Sequence, residues 1–190
     1  EGIHTLDMSH CNQKTISDEA FKHLTGIQSL DISLCFQITD NAFSHLKGIH
    51  TLNMSACNQT MITDEAFSHL EGIHTLYMSG CDQESITDRA FSHLKGIHTL
   101  SMLCCTQTTI TDSAFSYLNG IHTLDMRHCN QQYITNKAVS NLNPRDIRKD
   151  QTFIENVTTL KKLINRMFGT YGEVYHIAET KYSVTIDDSW

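Results

Sequence analysis

The sequence predicts an α/β solenoid, in which one short strand–loop–helix unit stacks on successive copies of itself. The main observation is that nearly the same segment occurs six times, with five copies of 24 residues and a second copy of 22. A fixed period in the twenties indicates a repeat architecture, because such a unit buries its apolar face only against its neighbours. The copies begin at Gly2, Gly26, Gly48, Gly72, Gly96 and Gly120.

The third copy illustrates why each unit contains a strand and a helix. Leu52 and Met54 are two residues apart, which is the spacing of a strand with one buried face. After a loop, Thr63 and the acidic residues that follow it are typical of a helix start, where the helix dipole favours negative charge. Phe67 and Leu70 then have the spacing of an inward helix face. We therefore expect the strands of successive units to form a parallel sheet.

The overall composition excludes several classes of partner. The chain has 190 residues and a formal net charge of −7, with only 14 lysines and arginines, so we expect no nucleic-acid partner. No apolar run approaches the roughly 20 residues that a membrane span requires, so we expect no membrane association. Charged residues make up 18% of the chain and apolar residues 39%, as in a folded protein rather than a disordered one.

The repeated pattern Ile-x-x-Leu-x-Met-x-x-Cys followed by Ile-Thr-Asp resembles the cysteine-containing leucine-rich repeat of F-box leucine-rich proteins and their relatives. The second copy matches most closely, through Ile27, Leu30, Ile32, Cys35 and then Ile38, Thr39 and Asp40. The other copies insert two residues before the isoleucine, and a phenylalanine replaces the usual helix leucine. The resemblance covers residues 1–143 and implies a horseshoe with a parallel concave sheet and short convex helices. The F-box itself is not part of this sequence.

One cysteine recurs in every repeat, and we refer to these six residues as the cysteine ladder. Side chains in a ladder all point the same way, which opposes disulfide geometry and the convergence of ligands on a metal, so we expect buried free thiols and no metal. Free thiols favour a reducing compartment, so we expect an intracellular protein of the cytoplasm or nucleus. Cys104 lies outside the ladder and is expected to be exposed. The ladder consists of Cys11, Cys35, Cys57, Cys81, Cys105 and Cys129.

Two further polar residues recur. A glutamine two positions after each ladder cysteine predicts a structural spine of amides that bond from copy to copy or to loop backbone groups. A histidine at strand entry occurs in five copies, with Gln28 interrupting the row. We interpret the histidines as structural or solvent-facing; a response to pH is the alternative, and a metal site is disfavoured because no acidic residues accompany them.

We call equivalent positions in the six copies a slot. The slots whose residue differs from copy to copy indicate a binding surface. Variation is concentrated on the outward side of the strands, which in such solenoids is the concave face, and in the loop after each ladder cysteine. Large or charged residues replace small polar ones in the later copies, and aromatic and arginine side chains are typical anchors of protein interfaces. The candidate partner-binding residues are Tyr77, Ser101, Leu103, Asp125, Arg127 and His128.

Residues 144–190 do not follow the repeat. Helical spacing from about residue 150 to 167 and alternation over 174–178 and 182–186 predict a helix and a hairpin. We interpret them as a cap that seals the open end of the solenoid; the alternative is a separate docking module. The first copy begins directly at its strand without a polar cap, which predicts either a piece of a longer solenoid or an end covered by a partner or a second copy.

The sequence therefore predicts a non-enzymatic protein–protein interaction module without a cofactor. No Ser-His-Asp set and no phosphate-binding loop stand apart from the repeats. The family resemblance implies substrate recognition in an F-box-like ubiquitin ligase adaptor. The alternative is a structural component of a larger assembly, or a homo-oligomer formed through the uncapped first repeat.

Overall fold

The computed structural model describes residues 2–13, 15–129, 133–140, 142 and 146–148. These residues belong to the first of two compact units, which ends at Arg148. The second unit, Lys149–Trp190, contains the helix and hairpin predicted as a cap, and these lie outside the described residues.

The strands form one parallel sheet in chain order, as the repeat predicts. The leucines of neighbouring strands pair in register, Leu52 with Leu76 and Leu76 with Leu100, so each repeat occupies the same position along the solenoid. The seven strands are β1 Thr5–Asp7, β2 Ser29–Asp31, β3 Thr51–Asn53, β4 Thr75–Tyr77, β5 Thr99–Ser101, β6 Thr123–Asp125 and β7 Asp146–Arg148. β7 pairs with β6 through Thr123 and Asp146, so the sheet extends past residue 143.

Each repeat crosses back along one short helix, and a threonine fixes the start of the helix from the second repeat onward. In these five helices the Thr Oγ1 accepts the N–H two residues later, as Thr63 does from Glu65. None of the helices in the described ranges is long and apolar enough to cross a membrane. The helices are α1 Asp18–Phe21, followed by a 3-10 turn at Lys22–Leu24, α2 Asp40–Phe43, α3 Asp64–Ser68, α4 Asp88–Phe91, α5 Asp112–Phe115 and α6 Asn136–Ser140.

The core lies between the sheet and the helices and contains the residues that recur in every copy. Leu52, Met54 and Phe67 of the third repeat are fully buried, as the sequence spacing predicts. Their counterparts in the first repeat differ, since Leu6 and Met8 remain half-buried at the edge of the sheet. The apolar contact between repeats is therefore most complete in the middle of the solenoid.

A carboxylate–threonine contact joins each helix start to the next, and the sequence analysis did not foresee it. Asp64 Oδ1 accepts the backbone N–H of Thr87 at 2.7 Å, and Asp64 Oδ2 accepts the Thr87 hydroxyl at 2.7 Å. We call this contact the Asp–Thr clamp. It occurs five times, from Asp18 to Thr39, Asp40 to Thr63, Asp64 to Thr87, Asp88 to Thr111 and Asp112 to Thr135.

The cysteine and glutamine ladders bond to backbone carbonyls of the preceding repeat. The thiol of Cys57 donates to the Ile32 carbonyl at 3.1 Å, and that of Cys81 donates to the Met54 carbonyl at 3.1 Å. Gln83 Nε2 donates to the Cys57 carbonyl at 2.8 Å. Gln59 and Gln83 thus make the predicted bonds to loop backbone groups, whereas neither amide atom of the buried Gln107 has a hydrogen-bond partner among the described residues.

Two positions in the repeat adopt left-handed backbone conformations. The glycine that opens each copy from the second onward has φ between +82° and +86°, which L-residues rarely adopt. The residue before each ladder cysteine has φ between +56° and +65°, inside the left-handed helical region. In that second position a backbone bond to the next repeat offsets the strain; the N–H of Leu34, for example, donates to the Ser55 carbonyl at 3.0 Å.

We expect a glycine-to-alanine substitution to destabilise the protein more at the opening glycine than at the residue before the ladder cysteine. Gly72→Ala is expected to destabilise the protein by about 1–2 kcal/mol, because φ is +83° there although no atom would contact the new Cβ. Gly80→Ala should change the free energy of unfolding by less than about 0.5 kcal/mol, because φ is +65° and the other copies carry L-residues in this slot. Urea unfolding of both variants measures the difference, and equal losses would contradict this explanation.

Candidate protein-binding surface

The outward-pointing residues of strands β1–β6, together with the turns that follow these strands, form a surface that we call the sheet face. Each strand from β2 to β6 buries its central leucine and directs the flanking residues outward, as Leu76 is fully buried while Tyr77 is 40% exposed. The outward slot after the leucine holds Asp7, Asp31, Asn53, Tyr77, Ser101 and Asp125 on successive strands. The residues that vary between copies therefore share one continuous face.

Tyr77 gives the sheet face its most exposed aromatic ring within the described strands. Its ring borders a groove of about 230 Å³ that extends over β1–β4 and is also lined by Asp7, Asp31 and Asn53. Asn53 Nδ2 donates to Asp31 Oδ2 at 2.7 Å, so the polar side of this groove is already ordered. The sequence analysis identified Tyr77 but not the three polar residues beside it, although their shared slot was the available signal.

The next candidates along the face are smaller. Ser101 lies beside Tyr77 in register, and its hydroxyl is 3.0 Å from that of Ser79 on the preceding repeat. Leu103 follows β5 and is half-buried. Both residues belong to the same surface as Tyr77, as the sequence predicts.

Asp125 and Arg127 form an ion pair within the sheet face. Arg127 Nη2 lies 2.7 Å from Asp125 Oδ2 and Arg127 Nε lies 3.0 Å from Asp125 Oδ1, a two-point contact that fixes the guanidinium plane. Asp125 is only 8% exposed, and its carboxylate orients the Arg127 side chain. Contact of Asp125 with a partner stays a prediction. The exposed His128 follows in the left-handed turn position with φ of +59°.

Four of the strand-entry histidines form a ring stack along one margin of the sheet. Successive ring centroids lie 4.4–4.5 Å apart and the ring planes are within 12° of parallel, from His50 through His74 and His98 to His122. Each Nδ1 lies 3.1–3.2 Å from the Oγ1 of the following threonine. Burial, and then the nearby His50 and His98, lower the pKa of His74 below its ordinary value of 6.5.

Comparison with known proteins identifies the repeat. Residues 14–145 match the BspA type Leucine rich repeat region in six copies. The chain belongs to this leucine-rich repeat family. The predicted leucine-rich repeat fold is thereby confirmed, while the cysteine-containing subclass stays a prediction. Leucine-rich repeat regions in general present extended surfaces for protein interaction.

Two solved structures illustrate the likeness of the solenoid. A chain of the TLR13–ssRNA13 complex is 25% identical over 67% of this chain and 19% of that chain, with a TM-score of 0.54. A chain of the Toll–Spatzle complex from Drosophila is 15% identical over 77% of this chain and 23% of that chain, with a TM-score of 0.55. The leucine-rich repeats described above thus span about a fifth of each of those chains. No curated protein matches the chain.

The described part of this leucine-rich repeat chain offers no grouped metal ligands. No three His, Cys, Asp or Glu side chains within those ranges are arranged so that they could hold a metal ion. The parallel orientation of the stacked imidazoles is consistent with this, since metal coordination requires nitrogens that converge on one point.

The histidine stack predicts acid sensitivity of the leucine-rich repeats. Because the pKa of His74 is lower in the folded chain than in the unfolded chain, the unfolded chain binds more protons as the pH falls through this region. We expect a lower melting temperature at pH 5 than at pH 7.5, measured by thermal unfolding at constant ionic strength. Changing the five strand-entry histidines to glutamine, the residue at position 28, should narrow the difference.

The matched control changes two histidines on the helix side, His45→Gln and His69→Gln, which lie outside the stack. This variant should keep the difference in melting temperature between the two pH values. Equal melting temperatures of the unmodified protein at pH 5 and pH 7.5 would show that the stack has no effect on stability.

Proposed function

We propose that the chain is a non-enzymatic module that binds a partner protein on its sheet face. The observation that carries the proposal is the separation of the two residue sets. The apolar slots that are constant between repeats are buried in the core, whereas slots that vary lie outward on one surface. Freedom from packing leaves the outward slots available for recognition.

The chemistry of the later strands supports a protein partner. Tyr77 presents a large aromatic surface, and Arg127 is held in a fixed orientation while its side chain remains 44% exposed. Tyrosine and arginine are enriched among the residues that contribute most to protein binding, and an anchor that is ordered before binding loses less entropy. Leu103 lies between them along the face.

The family resemblance extends the proposal to a cellular role. We propose recognition of a substrate in an F-box-like ubiquitin ligase adaptor, on the basis of the cysteine-containing repeat pattern. All seven cysteines are free, which supports a reducing intracellular compartment. Under this proposal neither nucleic acid nor a membrane is the partner.

A second candidate is self-association into a larger assembly through the first repeat. Ile3 is 62% exposed, and Leu6 and Met8 are less buried than their counterparts in later repeats. Among the described strands β1 pairs only with β2, so its other edge offers backbone groups to a further strand.

The test is affinity capture with the immobilised chain, followed by mass spectrometry and by binding measurements on the captured protein. Replacing Tyr77, Leu103 and Arg127 together with serine should weaken binding by at least about 2 kcal/mol, roughly 30-fold, with the fold intact. A matched control replaces three exposed helix-side residues, Lys22, Glu65 and Arg89, with serine. Undiminished binding by the folded sheet-face variant would refute the proposal, and a stable homo-oligomer in light scattering would favour the second candidate.

A further inference from the structure

The same slot on three strands carries an aspartate, and among the described residues an arginine binds only the aspartate on β6. On β6, Asp125 binds Arg127, which stands two residues later. On β1 and β2, the residues two positions after Asp7 and Asp31 are Ser9 and Ser33. The backbone N–H of each serine donates to the aspartate Oδ1 at 2.8 Å, and Asp31 Oδ2 also accepts Asn53 Nδ2 at 2.7 Å, so both carboxylates are held in place by uncharged donors.

No arginine or lysine occurs in the segments that form the sheet face over the first four strands, residues 4–10, 28–34, 50–56 and 74–80. Asp7 and Asp31 are paired directly across β1 and β2, so two negative charges lie on neighbouring strands. Like charges on neighbouring strands, which are ~4.8 Å apart, repel each other, and a cation placed between the two carboxylates relieves that repulsion. The Ser9 hydrogen bonds lower the pKa of Asp7 below its ordinary value.

The groove over β1–β4 brings the two aspartates and the exposed tyrosine to one surface. It has a volume of about 230 Å³, with Asp7 and Asp31 lining one part and Tyr77 another. Four parallel strands span roughly 14 Å at ~4.8 Å per strand, about the length of four to five extended residues. A short extended segment therefore reaches from the carboxylates to the tyrosine ring.

We propose that the groove over β1–β4 binds an arginine-containing segment of a partner protein, with guanidinium groups on Asp7 and Asp31 and an apolar side chain against Tyr77. The inference rests on the proposed function and specifies the chemistry of the partner. Arginine fits better than lysine, because a planar guanidinium makes the two-point contact that Arg127 already makes with Asp125. In this proposal guanidinium groups of the partner neutralise Asp7 and Asp31, as Arg127 of this chain neutralises Asp125.

The probe is a fluorescein-labelled peptide, Arg-Gly-Arg-Gly-Phe, whose extended length from the first arginine to the phenylalanine, about 13 Å, is close to the roughly 14 Å width of the groove. We expect binding in fluorescence anisotropy that weakens as salt is raised, whereas the peptide Glu-Gly-Glu-Gly-Phe does not bind. The double variant Asp7→Asn with Asp31→Asn should lose at least 10-fold in affinity. The matched control, Glu65→Gln with Glu71→Gln, removes two exposed carboxylates from the helix side and should bind the peptide as the unmodified chain does.

A second variant tests whether Asp31 on β2 can bind an arginine as Asp125 on β6 does. Ser33→Arg restores on β2 the arrangement of Asp125 and Arg127, so the new guanidinium should occupy Asp31 and reduce peptide affinity at least 10-fold. Equal binding of the arginine and glutamate peptides, or unchanged affinity in both the Asp7/Asp31 and Ser33→Arg variants, would overturn the inference. If the arginine peptide fails to bind while capture of a protein still depends on Tyr77, Leu103 and Arg127, the inference fails and the proposed function stands.

Discussion

Replacing Asp64 with alanine is expected to destabilise the solenoid by about 2–4 kcal/mol. The substitution removes both acceptors of one Asp–Thr clamp, leaving the N–H and the hydroxyl of Thr87 without the 2.7 Å bonds they make in the folded chain. Hydrogen bonds to a charged group contribute about 1.5–3 kcal/mol each, and the half-buried position of Thr87 lets water recover part of that loss. Urea unfolding followed by circular dichroism measures the effect.

Two further substitutions distinguish the loss of the Asp–Thr clamp from the loss of a negative charge as the cause of the destabilisation. Asp64→Asn keeps one oxygen acceptor and should lose less than Asp64→Ala. The neighbouring Glu65 is exposed and makes no side-chain hydrogen bond in the described structure, so Glu65→Ala should change the free energy of unfolding by less than about 0.5 kcal/mol. If Asp64→Ala and Glu65→Ala were equally mild, the clamp would not contribute to stability.

Thiol labelling of the native protein should modify Cys104 at least ~10³-fold faster than Cys57. Cys104 is exposed, whereas burial raises the pKa of both Cys57 and Cys105 to about 12. Only the thiolate reacts, and at pH 8 a thiol with a pKa near 12 is ionised about 10⁻⁴ of the time. Burial then restricts access of the reagent further. Mass spectrometry of the labelled peptides over time gives the individual rates.

The control for labelling is the same measurement in urea, where all seven cysteines should react at similar rates because the chain is unfolded. In the native protein, Cys104→Ser should remove the fastest phase and leave the slow ones. Rapid uniform labelling of all seven thiols in the native state would refute the buried cysteine ladder.

The turn before each ladder cysteine illustrates where sequence interpretation was incomplete. The residue in this turn varies between copies, and of this slot only His128 is a candidate for partner binding; the non-glycine residues there are His10, Leu34, Ala56, Cys104 and His128. In the structure these residues share a left-handed backbone conformation, with φ between +56° and +59°. Their variability therefore reflects a position where the backbone bond to the next repeat, rather than the side chain, is required. His128 stays a candidate because it is exposed beside Arg127.

The sequence by itself determined the number of repeats, the alternation of strand and helix, and the buried residues of each copy. These follow from local spacing, because Leu52, Met54 and Phe67 point inward whatever the neighbouring copy contains. Six internal copies also separated constant core slots from variable outward ones. That separation was sufficient to identify Tyr77 and Arg127 as surface candidates without a structure.

Only the tertiary structure decided which polar groups meet. The pairing of Asp64 with Thr87, the stacking of His74 between His50 and His98, and the open groove beside Asp7 depend on the register of successive strands and on how closely they approach. Sequence spacing places these residues in equivalent slots but does not specify the distances across repeats. Hydrogen bonds and ion pairs are sensitive to those distances, whereas burial of apolar surface is not directional.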